Sequence, residues 1–437
     1  MDRASVQPNS GPAEERVRVL DTSALGQGRP RVAGPGDASC AVSRAVARWR
    51  APVEEAATAR ETVLTNARVI IRDSMFFGTV HVVGDTIAGM STGRSSVSSA
   101  ADLDGDFLIP GLVDIHTDNL EKHLEPRPGV AWPNFAALVS HDRQTATAGI
   151  TTVFDSVCVG DQRRGSARRR EALLTSLQAM RRASADGLLK AEHFMHLRCE
   201  VSAEEVVDTF ATLVDDPSVR LVSLMDHTPG QRQWRAIERW RQFNLLSNIS
   251  AAELDAVYEW RTSRGAEIAA SARCEIAGMC RARGMVLASH DDTTAEHIAE
   301  AAADGVTISE FPTTALAARG ARSAGMQVVM GAPNVVLSGS HSGNVSAREL
   351  VTAGLVDGLA SDYVPVSLIQ ACLLLHEEMG VAMPAAVASV STKPAAMVGL
   401  TDRGEIAPGL RADLVWVKAY EHMPVVRGVW RAGQRII

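Results

Sequence analysis

Residues 108–123 read LIPGLVDIHTDNLEKH, and the reading of this stretch decides the fold. An apolar run, Phe107-Leu108-Ile109, meets Pro110-Gly111 and is followed by a second apolar run, Leu112-Val113. His116, Asp118, Glu121 and His123 then come in quick succession. A short buried strand that ends in clustered imidazole and carboxylate groups suits a metal site at the mouth of a barrel. His116 and Asp118 are two residues apart, so on a strand they project from one face. Alone, these residues also describe a strand end with a solvated polar rim. The strand ends downstream decide between the two.

Apolar, β-prone runs recur at Ile150–Phe154, Phe194–Leu197, Leu221–Met225, Met285–Ala288, Val306–Ile308, Gln327–Met330 and Gly358–Ala360, and with Leu108–Ile115 they make eight. Helical patterns lie between them. Leu173, Leu177 and Met180 follow a 3.6-residue period, as do Val206, Phe210 and Leu213. Capping boxes at Ser202/Glu205, Ser250/Glu253, Thr293/Glu296 and Ser346/Glu349 mark helix starts. This alternation predicts an α/β chain folded as a (β/α)8 TIM barrel over residues 108–400. The stretch from about 233 to 284 is too long for one crossover and reads as an insertion of two or three helices, partly a lid.

Polar groups gather where these runs end. They are His116-Thr117-Asp118, Arg198 with Glu200, Asp226-His227, His290-Asp291-Asp292, Glu310, and Ser361-Asp362. Any one of them has a bland explanation as a helix cap or a rim charge. Together they converge, because the strand ends of a barrel share one pocket. Imidazole and carboxylate donors suit Zn²⁺, Mn²⁺ or Fe²⁺. The six cysteines show no metal-binding spacing and fit reduced thiols in the cytoplasm.

β-branched runs at Val69-Ile70-Ile71 and Thr79–Val83 are matched near the other end by Leu414–Val417 and Val425–Trp430. They predict a small β-sandwich built from both ends of the chain, residues 61–107 plus 401–437. Residues 1–60 are rich in Gly, Pro, Ser, Ala and Arg without an apolar face, which predicts a disordered extension; a domain's first strand at VLTNARVII suggests a translation start near Val63. A net charge of −7 and 4% aromatic residues argue against a nucleic-acid partner. No apolar run approaches the ~18 residues of a membrane span. The arginine-rich run Arg163–Glu171 reads as a solvated helix start rather than a pocket rim.

These residues carry a family resemblance. The β-rich ends, PGLVDIHTD, the strand-end histidines and a late SDY resemble the amidohydrolase superfamily. More narrowly, HTDNLEKH, RPGVAWP, GITTVFD, HLRCE, SLMDHTPGQRQ, VLASHDDTT, EFPTT, MGAPNVV, SGSHSGN and SDYVP resemble the PhnM family. Its members are the α-D-ribose 1-methylphosphonate 5-triphosphate diphosphatases of the carbon–phosphorus lyase pathway. The likeness runs from about Val63 to the C-terminus, and residues 1–60 have no counterpart in it.

The resemblance implies that His116, Asp118, Glu200, His227, His290 and Asp362 hold one or two divalent ions, Zn²⁺ or Mn²⁺. Asp118 stands in place of the second His of the usual H-x-H pair, and Glu200 in place of a carboxylated lysine. It implies hydrolysis of a phosphorylated sugar, in which diphosphate leaves a 5-triphosphate and Asp362 accepts the proton of the attacking water. Lys122, Arg127, Arg198, Gln231, Arg232 and His341 are the expected phosphate contacts. In the family an Arg usually precedes the Gly-Ser-His stretch after GAPN, and here Val336-Leu337-Ser338 has none. Two other readings stand beside this one: an amidohydrolase that opens a cyclic amide or deaminates a heterocycle, and a non-catalytic pathway subunit. A possible homo-oligomer is compatible with the helical insertion.

Overall fold

The structure, a computed structural model, describes residues 60–127, 129–160, 166–245, 250–340 and 343–437, without side chains over 166–172. The expectations for the extension over residues 1–60, Arg60 apart, and for His341 lie outside the described residues. So do those for the side chains of the run Arg163–Glu171, although a helix does begin at Ser166.

Eight parallel strands form the barrel: β1 (Leu112–Thr117), β2 (Ile150–Val159), β3 (Glu192–Glu200), β4 (Val219–Met225), β5 (Val286–His290), β6 (Ile308–Glu310), β7 (Gln327–Gly331) and β8 (Gly358–Ala360). They pair in chain order. A single parallel bridge between Thr117 and Asp362 joins β1 to the end of β8. There the Asp362 amide donates to His116 O at 3.0 Å and the Asp118 amide donates to Asp362 O at 2.7 Å. Inward-facing Val113, Ile115, Phe154, Leu221, Ala288, Ile308, Val329 and Ala360 fill the barrel as one apolar layer. The predicted helix face Leu173, Leu177 and Met180 is buried against the outside of the barrel.

A second sheet takes strands from both ends of the chain. Its order is Gln434–Arg435, Met423–Arg431, Leu414–Tyr420, Phe107–Pro110, Glu61–Ile70, Met75–Val83 and Thr86–Thr92, with Ala101–Asp102 beside Glu61–Ile70. The sheet curls on itself: Ile87 and Trp430, from strands far apart in that order, share a buried cluster with Leu64, Val80 and Leu414.

The stretch 108–115 is therefore not one strand. Phe107–Pro110 belongs to the small sheet and Leu112–Thr117 to the barrel, with Gly111 between them. Its amide donates to Asp413 O at 2.7 Å, and a Cβ there would lie 2.3 Å from Thr151 Oγ1 and 2.9 Å from the Asp413 Cβ. Only glycine lets the chain pass between the two sheets at this distance. A Gly111→Val variant is expected to lose about 1–3 kcal/mol, an overpacking cost. Urea unfolding that shows no loss would contradict this account of the crossing.

The capping expectations hold at Ser250/Glu253, where both bonds of the box are present. Elsewhere the local pattern loses to tertiary contacts. Thr294 rather than Thr293 caps the helix Ala295–Asp304, because the Thr293 hydroxyl is bonded to Asp291 O and Thr313. Ser202 donates to Glu200 Oε1 at 2.7 Å, and the helix after it, Val206–Ala211, has Glu205 at its N-cap. Ser346 occupies an N-cap position without a side-chain bond.

The insertion resolves into helices Ile237–Leu245, Ala251–Trp260 and Ala266–Ala282, the last two joined by a π-type turn at Arg261–Gly265. Trp234, Trp240 and Leu254 give it a small core of its own. The five described cysteines are free thiols. No helix among the described residues is long and apolar enough to cross a membrane.

Candidate active site

Strand alternation builds the site. On β3, Phe194, His196, Arg198 and Glu200 point inward and Met195, Leu197 and Cys199 outward, the period-2 rule applied to HFMHLRCE. The lower residues of each inner face are apolar and the last ones polar, so the C-terminal mouth carries the chemistry. Three non-glycine residues just beyond strand ends have left-handed backbones: Asp291 (φ 59°), Phe311 (φ 54°) and Asp362 (φ 55°). Each donates its amide to the next strand's carbonyl, at Glu310, Val329 and His116 respectively. Strained conformations that a surrounding ladder enforces are typical of functional sites.

Two groups of donors face each other across the mouth. His116, Asp118 and Asp362 offer atoms within 4.8 Å of one another, and so do His227, His290 and Asp291. The His116 and His290 rings stack with centroids 5.5 Å apart. Glu200 lies beside the second group. Its Oε2 is 2.8 Å from His227 Nδ1, and its Oε1 accepts the His227 amide at 3.1 Å. Below them the fully buried Glu310 carboxylate is 3.3 Å from Nδ1 of both His116 and His290.

Charge is concentrated here. Burial disfavours ionisation of Glu200, but Arg261 and His227 hold its carboxyl down to about 2. Burial also opposes a charge on His116, yet Glu310 and then Asp118 push that ring up to about 10. Asp118 stays ionised despite burial, through Arg198 first and His116 next. Asp362 is the exception: burial, and then the charge of Asp118, raise its carboxyl to about 6. Such crowding of carboxylates calls for cations between them. The buried atoms without a hydrogen-bond partner among the described residues include three possible metal donors here, His116 Nε2, Asp118 Oδ1 and Asp291 Oδ2. Arg198 Nη2 is 3.1 Å from Asp118 Oδ1, near enough to attract but not aligned to donate. Orphaned imidazole nitrogen and carboxylate oxygen aimed at one place fit a divalent cation.

The cavity above measures about 650 Å³. One side carries the donor groups with Lys122, Arg198 and Arg261, and the other is a wall of Trp234, Trp240, Phe243, Leu254 and Val257 from the insertion. The Arg261 guanidinium, placed by the π-type turn, donates to His227 O at 2.8 Å and lies 3.8 Å from Glu200 Oε2.

The model of the Amidohydrolase family matches residues 107–436. The chain belongs to the amidohydrolase family. It is 40% identical over 377 residues to the alpha-D-ribose 1-methylphosphonate 5-triphosphate diphosphatase of Escherichia coli (strain K12), covering 86% of this chain and 100% of that protein. It is 25% identical over 414 residues to the imidazolonepropionase of Streptomyces coelicolor, covering 86% and 98% of the two chains. Among solved structures, dihydropyrimidinase from Brevibacillus agri superposes with a TM-score of 0.59 at 13% identity, over 86% of this chain and 95% of that one. N-acetylglucosamine-6-phosphate deacetylase from Pasteurella multocida gives 0.55 at 12% identity, over 86% and 99%. Both structures share the amidohydrolase barrel fold.

Within this amidohydrolase barrel, all six residues expected to ligate metal lie at the mouth. The expected phosphate contacts divide. Lys122 and Arg198 line the cavity. Arg127 is exposed and its backbone bridges to Val130, off the cavity wall. Gln231 donates to Asp226 Oδ2 at 2.7 Å. Arg232 is buried beneath the site, bonded to Asp292 and, at 3.0 Å, to Glu300. Its guanidinium compensates the buried Asp292, and Arg232 is not among the residues that line the cavity. Asp291, Glu310 and Arg261 were not singled out for the site. Asp291 and Glu310 carried a signal as strand-end carboxylates; Arg261 carried none, because its place depends on an irregular turn.

Proposed function

We propose that this chain hydrolyses α-D-ribose 1-methylphosphonate 5-triphosphate to the 5-phosphate and diphosphate. The observation that carries this reading is the 40% identity to a diphosphatase of that specificity over that protein's entire length. The donor chemistry and the cations that face the cavity agree with it. In this reading His116, Asp118 and Asp362 hold one divalent ion, Zn²⁺ or Mn²⁺, and His227, His290 and Asp291 hold a second, with Glu200 against His227. The enzyme works in the cytoplasm on a soluble sugar phosphate.

A divalent ion in such a site lowers the pKa of a bound water from about 16 towards about 7 and offsets charge on phosphate oxygens. The chain's own groups do the rest. Asp362 Oδ takes the proton of the water that attacks the α-phosphorus. The bond from that phosphorus to the bridging oxygen breaks, and diphosphate leaves with the electron pair. Lys122, Arg198 and Arg261 offset the polyphosphate charge, which is most of what phosphoryl transfer asks of a protein. Lys122 Nζ is anchored on Tyr363 O at 2.6 Å, one residue beyond Asp362.

Phosphorus NMR with the metal-loaded protein and the triphosphate tests the reading. Diphosphate and the 5-phosphate should appear together, and prior dialysis against a chelator should lower the rate by about 10³-fold, equivalent to several kcal/mol of lost stabilisation. One observation favours a cyclic-amide substrate instead: the aromatic wall of Trp234, Trp240 and Phe243 in an amidohydrolase barrel. Opening of dihydrouracil or an imidazolone by the same preparation, with the triphosphate untouched, would replace the diphosphatase reading.

A further inference from the structure

We infer that Glu310 is a positioning residue that fixes the tautomer of one imidazole in each donor group, and so couples the two ion sites; this rests on the metal reading above. Its carboxylate is fully buried and divides its two oxygens between the two groups. Oε1 is 3.3 Å from Nδ1 of His116, and Oε2 is 3.3 Å from Nδ1 of His290. A carboxylate only accepts, so each Nδ1 must carry the proton. When an ion displaces the other ring proton, the proton kept is therefore the one on Nδ1, and Nε2 offers its lone pair towards the cavity, the form in which imidazole binds a metal. A carboxylate behind a ligating imidazole is a recurrent device for setting ring orientation and basicity. Here one carboxylate serves two imidazoles from different donor groups.

The surroundings hold this arrangement in register. The two rings are nearly parallel, 16° apart, so they present the same edges to Glu310 and to the cavity. Phe311 meets both rings edge-on, with centroids 4.8 Å and 5.3 Å away. The left-handed backbone of Phe311 turns that ring onto the pair directly after Glu310. A third imidazole, His196, lies 3.8 Å from Glu310 Oε2 but is held by Ser223 Oγ at 2.8 Å and Ser156 Oγ at 3.0 Å. The end of β6 thus supplies both the acceptor and the flank for the two ligating rings.

Glu310→Gln separates this role from a merely structural one. The amide is isosteric but has one acceptor oxygen and one N–H₂ donor. It can accept from one Nδ1–H, while its N–H₂ donates to the other Nδ1 and forces the proton of that ring onto Nε2. One imidazole remains a ligand and the other is blocked. Zinc titration against a chromophoric chelator should give two tight ions per wild-type chain. The Gln variant should keep one and bind the second about 10–100-fold more weakly, and Glu310→Ala should weaken both. Circular dichroism confirms that the variants are folded. A Gln variant that holds two ions as tightly as wild type, or a wild type that holds a single ion, overturns the coupling. A wild type that binds no zinc removes the metal reading, and this inference with it.

Discussion

Replacing Asp362 with Asn is expected to slow turnover by about 10²–10⁴-fold, the usual contribution of a positioned acid–base group. The substitution removes the proton acceptor and a carboxylate of the first donor group together, but leaves the backbone in place. Asn tolerates the left-handed backbone that Asp362 adopts at φ 55°. The bonds that close the barrel at this point, from the Asp362 amide to His116 O and from the Asp118 amide to Asp362 O, are backbone bonds and survive. The melting temperature should therefore hardly move while the proton acceptor is gone. The pH profile gives a second readout. Burial and the Asp118 charge raise the Asp362 carboxyl to about 6. The base must be ionised to work, so wild-type kcat/KM should fall as pH drops through that region. A bound divalent ion favours the carboxylate and moves this acid limb lower. The Asn variant should lack the limb. A variant that retains a tenth of the wild-type rate, with the limb intact, would assign the proton to another group.

What the sequence conveyed here follows from what alternation can and cannot encode. The period-2 pattern in HFMHLRCE places Arg198 and Glu200 on one inner face without any knowledge of the fold, and Gly358–Ala360 was bounded as the strand is found. Pattern fails where hydrophobicity is continuous across a change of partner. Residues 108–115 are apolar on both sides of Gly111, and only the closeness of Thr151 and Asp413 shows that the chain changes sheets there. Direction is the other missing quantity. Arg198 and Arg232 both follow strand-end motifs, yet one faces the cavity and the other faces Asp292 and Glu300, residues about sixty positions away. Asp291 and Glu310 were visible as strand-end carboxylates. Their separation into a cavity-facing donor and a buried support is set by the left-handed turn after β5 and by the depth of β6 in the barrel.

The second large effect concerns stability and lies away from the mouth. On the outer faces of β2 and β3, against the helix Asn134–Thr147, His193 joins two carboxylates. Nδ1 is 2.8 Å from Asp155 Oδ2, and Nε2 is 3.2 Å from Asp142 Oδ1. His141 Nε2 adds a 2.6 Å contact to Asp155 Oδ1, and the Lys190 and Ala191 amides donate to Asp142. Three of them, His141, Asp155 and His193, could group around a metal, but their donor atoms already satisfy one another. Burial works against an imidazolium, yet Asp155 and Asp142 push His193 up to about 9. His193→Leu is expected to cost about 3–5 kcal/mol, because it removes the imidazolium that bridges two buried carboxylates and leaves Asp155 with His141 and Asp142 with Arg143. The pH dependence has a definite sign. The folded pKa of His193 lies above its unfolded value, so the stabilisation is complete below about 6.5, declines as pH rises, and is lost above about 9. Urea unfolding at pH 6 and pH 9.5 should show the wild type losing stability between them, and the Leu variant losing much less. A Leu variant that costs under about 1 kcal/mol, or that keeps the wild-type slope, would mean that His193 is neutral in the folded protein and that Arg143, His141 and the backbone donors hold the network.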